Sequence, residues 1–538
     1  MTAKRKERHT DSNQVTFEAV CKAMADPSFY PHPVSRIERR DTHISTVFLT
    51  GDSVYKIKKP VALGFLDFRR LADRQAACRR EVDLNRRLSR NVYRAVVPIH
   101  RSPAGDVRLE ACGPVVEYAV AMRQLPDAAN LKSLLASGRV EPGHMAAIGR
   151  RLARFYVESE RSAAVDAYGA LDAVEYNMEE NFRQLAPWVG ERLDAKRWAF
   201  LCEANRAFLA HHAALFRQRV DGGRIRDGHG DLRCDHVYFD DGLQIIDCIE
   251  FNDRFRYGDA AVDIAFLVMD MAARGFAELG RTLLSAYALA AEDPGVFALI
   301  DFYIAYRAVV RLKVACLQLS SADAGQAEAL ADDIGCYMDL ACRHTLMFGR
   351  PTLWVCCGLP ASGKSSLAGR LARVLNLQAF SSDDVRRETA PAAAVSHYGE
   401  GAYAPEQRSR VYRRLLALAQ DELRDGRSVI LDATYSRRRR RDQVRQLAED
   451  MDASLVFAEC GCPVETLRRR LARREQKPGR SDARLGHLDD LAAEFEPLAE
   501  VPAAMRVRIA TDGVPLAALV ALLGGAWSRR DRQLANRL

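Results

Sequence analysis

No apolar run in this 538-residue chain is long enough to span a membrane. The longest candidate, residues 514–527, is too short and is interrupted by Pro515. The opening stretch MTAKRKERHTDSNQ is basic but has no apolar core behind it, so a signal peptide is not expected. Residues 1–29 read as a flexible segment. The thirteen cysteines include no pair of CxxC motifs at zinc-site spacing. Even Cys356-Cys357 and the closely spaced Cys460 and Cys462 read as reduced thiols, most of them in a core. Internal repeats and low-complexity tracts are also missing, which excludes a solenoid or a tethering sequence. A strong charge of one sign is absent too. Lys and Arg total 79 against 71 Asp and Glu, a net charge of +8. That balance permits contact with nucleic acid or a phosphate-rich substrate without arguing for either. These absences point to a cytoplasmic protein with no membrane partner.

What is present is the composition of an ordinary globular chain, 48% hydrophobic and 28% charged. The length predicts two or three domains. Residues 43–58 read as a hairpin turning at Gly51-Asp52. A helix follows from Asp67 to Ser89, then strands over 95–100 and 115–123. Leu131 to Arg217 is mostly amphipathic helix, 224–250 is extended, and 260–347 is helical again. The run Met347 to Pro351 marks a boundary, giving domains at 30–348 and 349–538. It is short, so the halves should abut. Beyond it, strands over 352–357, 378–381, 428–433 and 454–460 alternate with helices. That alternation predicts a doubly wound parallel sheet.

The most specific motif is Gly358-Leu359-Pro360-Ala361-Ser362-Gly363-Lys364-Ser365-Ser366. An apolar strand leads into it and a helical pattern leaves it, the context a Walker A loop requires. Its backbone N–H groups and helix N-terminus suit a nucleotide's phosphates. Lys364 would reach the β- and γ-phosphates and Ser365 would bind Mg²⁺. A plain glycine-rich connection is the bland alternative. Asp383 and Arg386, in SSDDVRRE, sit where ligands bind in open α/β sheets. Asp383 would accept a proton from an attacking hydroxyl and Arg386 would hold a phosphate or substrate, although a helix cap is the simpler role. VILDAT ends in Asp432, a Walker B pattern that would organise Mg²⁺. Arg437 to Arg441 read as a solvated face, apart from one or two near the substrate. Arg470 and Arg474 share a helix face and read either as a lid over the phosphates or as another solvated face.

These motifs, with LRRRLARR and Ser481-Asp482-Ala483, resemble the P-loop kinases that include polynucleotide 5′-hydroxyl kinases, zeta-type toxins and gluconate-type kinases. The resemblance covers roughly residues 352–500. It implies Asp383 as general base, Arg386 on substrate, and Arg470 and Arg474 on ATP. The acceptor stays open, because that group is diverse in substrate.

The amino-terminal half carries a second constellation. HGDLRCDH, residues 229–236, places Asp231 at the catalytic-base position of a kinase loop and His236 where an Asn is usual. Asp247 ends the next apolar run, as a metal-binding Asp would. Lys56 lies on a hairpin strand, with Glu81 on the following helix as its partner and Lys58 as a substitute for Lys56. Each residue has a bland alternative, but their order is that of a kinase. Residues 30–345 resemble the aminoglycoside phosphotransferase and choline kinase-like family, a bilobal protein-kinase-like fold, through THISTVFLTG, HGDL and IIDCIEFN. The resemblance implies that Lys56 and Glu81 serve ATP and that Met122 to Pro126 form the adenine hinge. It also implies that Asp259 and Asp263 buttress the loop and that the residue matching His236 holds Mg²⁺. Imidazole is a softer donor than Mg²⁺ prefers, so His236 would suit a phosphate or Mn²⁺ better.

The leading expectation is an ATP-dependent kinase with two phosphotransferase modules, using Mg²⁺ and a hydroxyl acceptor that is a small molecule, a nucleotide or RNA. One alternative is a P-loop kinase governed by a non-catalytic, ligand-sensing kinase-like domain. Another is an RNA-directed repair or toxin-like kinase. An antibiotic-modifying enzyme is the weakest, since fold does not transfer substrate.

Overall fold

The computed structural model describes residues 3–64, 66–320, 322–389, 404–475 and 485–535. It forms two compact units, Met1–Tyr168 with Ile225–Asp270, and Gly169–Arg224 with Met271–Leu538.

The first unit is built on a six-stranded antiparallel sheet. Its strands lie in the order 38–41, 45–49, 53–58, 115–123, 93–101 and 107–108. The hairpin is found as expected, with Gly51 at φ +101° in its turn. Strand Ser53–Lys58 is nearly all buried because both sheet faces are covered. On one face lies helix Leu71–Arg86, shorter at both ends than the expected 67–89. On the other lies helix Ala3–Met24. Residues 3–24 are therefore helical where a flexible segment was expected. Phe17, Val20, Cys21 and Met24 recur at helical spacing and pack against Phe48, Tyr55 and Ile57. That stripe is short and follows a polar stretch, which hid it in the sequence. Burying each such large apolar side chain contributes about 1.5–3 kcal/mol.

The second unit joins helices, including the antiparallel pair Val296–Leu319 and Ala324–Gly349, to a five-stranded parallel sheet. The sheet order is 378–381, 429–432, 352–357, 454–461 and 506–510. The last strand, Arg506–Ala510, was not read from the sequence, where its charged residues interrupt a short apolar pattern. All six residues of Thr352–Cys357 are buried, as a central strand covered on both faces must be. Register places Asp432 beside Ser381 on one side and Cys356 on the other. The motif-bearing loops thus leave the same carboxyl edge, where open α/β sheets bind ligands.

All thirteen cysteines are free thiols, and all except Cys112, Cys336 and Cys462 are buried. Among the described residues no helix is long and apolar enough to cross a membrane.

Candidate active sites

In the first unit, helix 71–86 turns Glu81 inward with Ala77, Cys78 and Val82. A buried carboxylate needs partners, and the strand supplies two. Lys56 Nζ lies 2.8 Å from Glu81 Oε1, and Lys58 Nζ lies 2.5 Å from Oε2. Lys58 also pairs with Glu250. Glu250 lies within the quoted IIDCIEFN motif, but its role is visible only in three dimensions. Lys58 is fully enclosed, whereas Lys56 keeps some exposure and reaches Asp247 Oδ1 at 2.7 Å. Burial works against the charge on Lys56, but Asp247 and Glu81 outweigh it and raise its pKa well above the ordinary value. Burial likewise works against ionisation of Asp247, and Lys56 and His236 overcome it, holding that carboxyl far below its usual range. The Asp247 side chain is 44% exposed, so solvent screens part of this effect. Its backbone sits at φ +64°, and its N–H donates to the Tyr93 hydroxyl at 3.2 Å.

The loop bearing Asp231 is held from beneath. Asp263 accepts the N–H groups of His229 at 2.6 Å and Gly230 at 2.9 Å. Gly230 has φ +88°, and a Cβ there would fall 2.7 Å from the Phe255 carbonyl oxygen. Asp259 accepts the Ala261 N–H at 2.9 Å. Asp231 is clamped by Arg233, Nε to Oδ1 at 3.0 Å and Nη2 to Oδ2 at 3.1 Å. Burial opposes the Asp231 charge, yet Arg233 and His236 hold its pKa at about 2. Arg233 lies two residues past the catalytic position, and its spacing gave no hint of this clamp.

His236 Nδ1 lies 2.7 Å from the Asp231 carbonyl oxygen, so that nitrogen carries the proton. Nε2 then accepts from Arg233 Nη2 at 3.2 Å and faces Asp247 Oδ2 at 3.5 Å. The one Nε2 lone pair is thus taken up by Arg233. In the segment expected to form the hinge, Gln124 donates its N–H to the Asp52 carbonyl at 3.0 Å, and Arg123 pairs with Asp240.

In the second unit the Walker A loop curls through Gly358 at φ +139°, Ala361 at +62° and Gly363 at +87°. A Cβ at Gly358 would lie 2.4 Å from the Cys460 carbonyl oxygen, so only glycine fits. Thr511, just past the last strand, bonds through its hydroxyl to the Ser362 carbonyl at 2.5 Å and pins the loop. Lys364 opens helix Lys364–Leu375, and its ammonium reaches the Leu359 carbonyl at 3.5 Å across Pro360. Ser365 and Ser366 follow on the exposed first turn, where the Ser365 hydroxyl lies near enough to Asp432 to favour its ionised form. Burial raises the Asp432 pKa against the pull of Lys364, and its Oδ1 is buried without a hydrogen-bond partner. An orphaned buried acceptor beside a hydroxyl suits a hard cation. Among the described residues no group of three or more His, Cys, Asp or Glu forms a complete metal cage.

Asp383 pairs with Arg386 one turn along, Oδ1 to Nη1 at 3.0 Å. Helix Val464–Glu475 is fixed to the loop through Ala361, Leu467, Leu471 and Leu488. Arg470 donates to the Ala361 carbonyl at 3.0 Å and the Thr511 carbonyl at 2.7 Å, and half-buried Arg474 follows one turn on. Ser481-Asp482-Ala483 lie outside the described residues. In the Arg437 to Arg441 run, Arg441 is fully buried and binds Glu500 and the Tyr435 and Pro497 carbonyls.

By class, the two units present a protein-kinase-like site and a P-loop kinase-type site. Residues 51–306 match the family model described as a phosphotransferase enzyme family, and residues 353–498 match the one described as an AAA domain. The chain is 34% identical over 462 residues to the uncharacterized protein Rv2004c of Mycobacterium tuberculosis (strain ATCC 25618 / H37Rv), covering 84% of this chain and 89% of that one. The uncharacterized protein Mb2027c of Mycobacterium bovis matches with the same identity and coverage. A choline/ethanolamine kinase family protein from Mesorhizobium loti is similar in structure at 17% identity and TM-score 0.36, over 62% of this chain and 99% of that one. The chain belongs to the family of these mycobacterial proteins. It joins an aminoglycoside phosphotransferase-type domain to a P-loop kinase-type domain, and it is a phosphotransferase.

Proposed function

We propose that this protein transfers the γ-phosphate of ATP to a hydroxyl group, with the P-loop site as its principal active site. The observation that carries this reading is the convergence of Lys364, Ser365, Asp432 and Asp383 on one sheet edge. The loop N–H groups and Lys364 would bind and orient the phosphates. Asp383, positioned by Arg386 through Oδ1, would take the acceptor's proton on Oδ2. Arg470 would leave its backbone partners for the nucleotide, with Arg474 beside it. Ser365 and Asp432 would hold Mg²⁺, which when bound neutralises phosphate charge. Catalysis is then mainly positioning and charge neutralisation. The boundary between the two modules falls at residues 348/349.

In the kinase-like site, Lys56 and Glu81 would serve ATP, Asp247 and His236 a metal, and Asp231 the acceptor. One observation favours a second reading, a regulatory, ligand-sensing module. Both Asp231 oxygens are already bonded to Arg233, and Lys56 already occupies Asp247. A screen of metabolites and RNA with labelled ATP tests both readings, using wild type, Lys364→Ala and Asp231→Ala. Label transfer lost only in Lys364→Ala supports a single active site under a regulatory module. Loss of distinct products in each variant supports two active sites. Transfer unaffected by Lys364→Ala overturns the principal-site assignment.

A further inference from the structure

Three guanidinium groups gather beside the strand end that carries Asp432, and the roles above use only one of them. Arg386 is paired with Asp383, and Arg408 with Glu494 at 3.2 Å. Arg440 meets no carboxylate among the described residues. Its Nη2 donates to Ser409 Oγ at 2.8 Å, its Nη1 to Gln443 Oε1 at 3.2 Å, and its guanidinium lies 5.1 Å from the centre of the Tyr412 ring. The charges of Arg408, Arg386 and Arg440 all act on the Tyr412 hydroxyl. Partial burial lowers the pKa of Arg440, and although Tyr412 opposes this, the charges of Arg439 and Arg408 add to it. A half-buried guanidinium without a carboxylate partner is a site that a bound anion would stabilise.

Tyr412 links this cluster to the P-loop site. Its hydroxyl accepts the N–H of Tyr435 at 3.3 Å, just past Asp432 on the chain. Tyr435 has φ +49°, and its own hydroxyl is buried without a hydrogen-bond partner. A non-glycine residue in the left-handed region next to an unsatisfied buried polar group is a combination found at ligand sites. Three other members of the run are paired, and Arg439 is exposed. Arg437 pairs with Glu494 and Glu496, Arg438 with Asp442, and Arg441 with Glu500. Arg440 is thus the half-buried member of the run that meets no carboxylate among the described residues.

Resting on the kinase reading of the P-loop site, we propose that its acceptor is a small hydroxyl compound bearing an oxyanion group. Arg440, with Arg386 and Arg408, binds that group. A planar guanidinium stacked on an aromatic ring is well suited to a carboxylate, sulfate or phosphate.

The test uses the full chain saturated with ADP and Mg²⁺, with thermal unfolding followed as inorganic sulfate replaces chloride at constant ionic strength. Sulfate should raise the Tm of wild type. Arg440→Gln should weaken apparent sulfate affinity about tenfold, and Arg440→Lys should retain part of it. Arg408→Gln should also weaken it, giving a second variant should Arg440→Gln unfold early without sulfate. Parallel titrations with malonate and inorganic phosphate separate a carboxylate-bearing acceptor from a phosphate-bearing one. A sulfate shift that is absent, or equal in wild type and both glutamine variants, overturns the proposal. So does Arg440-dependent binding of a short oligoribonucleotide without any sulfate effect. ADP binding, measured on the same samples, judges the kinase reading separately. Intact ADP binding without a sulfate effect removes only the anion pocket. An Arg440-dependent sulfate shift with no ADP binding keeps the anion pocket but removes the kinase reading, and with it the assignment of the anion to an acceptor.

Discussion

Lys58 Nζ lies 2.5 Å from Glu81 Oε2, and neither side chain has any solvent exposure. Since Lys56 holds the other Glu81 oxygen, one carboxylate organises two lysines of the same strand face. The two have different surroundings. Lys58 is sealed between Glu81 and Glu250, while Lys56 is left at the cleft beside Asp247. The enclosed lysine holds the carboxylate that positions the accessible one.

Glu81→Ala should therefore destabilise the first unit by about 3–5 kcal/mol, the usual cost of leaving a buried charge unpaired. Urea unfolding monitored at several wavelengths should show an earlier transition with the remainder unchanged. Glu81→Gln, which keeps the shape, should still show most of the loss.

Arg233→Ala frees Asp231, and the sign of the pH effect follows from the lowered pKa. Asp231 is ionised above about pH 4 in the unfolded chain but down to about pH 2 in the folded one. The clamp's contribution, about 2 kcal/mol, is thus complete above pH ~4 and fades as pH falls towards 2. Denaturant titrations across that range should show the gap between wild type and variant closing with acidification.

His236→Asn exchanges a nitrogen donor for an oxygen donor facing Asp247. If the kinase-like site turns over ATP, wild type should work better with Mn²⁺ relative to Mg²⁺ than the variant does. The ratio of the two rates, measured on residual activity in a Lys364→Ala background, should fall in His236→Asn. An unchanged ratio would remove His236 from the metal shell.

At the P-loop, Gly358→Ala places a methyl group 2.4 Å from the Cys460 carbonyl oxygen. Nucleotide binding at that site, read by calorimetry, should be lost while the first unit's unfolding transition stays in place. Lys364→Ala should leave the loop intact and lower turnover about 10²–10³-fold, as removal of one charge-stabilising donor does.

Arg441→Met tests whether the arginine run is structural at this position. Arg441 is fully buried with Glu500 and two backbone carbonyls. The variant should lose stability by about 3–5 kcal/mol, and thermal unfolding should show it. A neighbouring exposed substitution, Arg439→Met, should shift the transition little.

The sequence alone determined most of what is periodic or local. The Walker A strand runs from Thr352 to Cys357, as its apolar pattern specifies. The strand ending in Ser381 and the one ending in Asp432 were equally legible. So were the hairpin carrying Lys56 and the loop carrying Asp231. These are short-range signals, in which glycines, β-branched runs and motif spacing act within a few residues of one another. The tertiary structure decided every pairing that crosses large gaps in the chain. It set Lys58 on Glu250, drew helix 3–24 onto the sheet, and packed Arg440 on Tyr412. A buried charge must find an opposite charge or a hydrogen bond wherever the fold places one. Which residue answers that demand depends on three-dimensional packing, so the pairings that shape these sites are absent from any local pattern in the sequence.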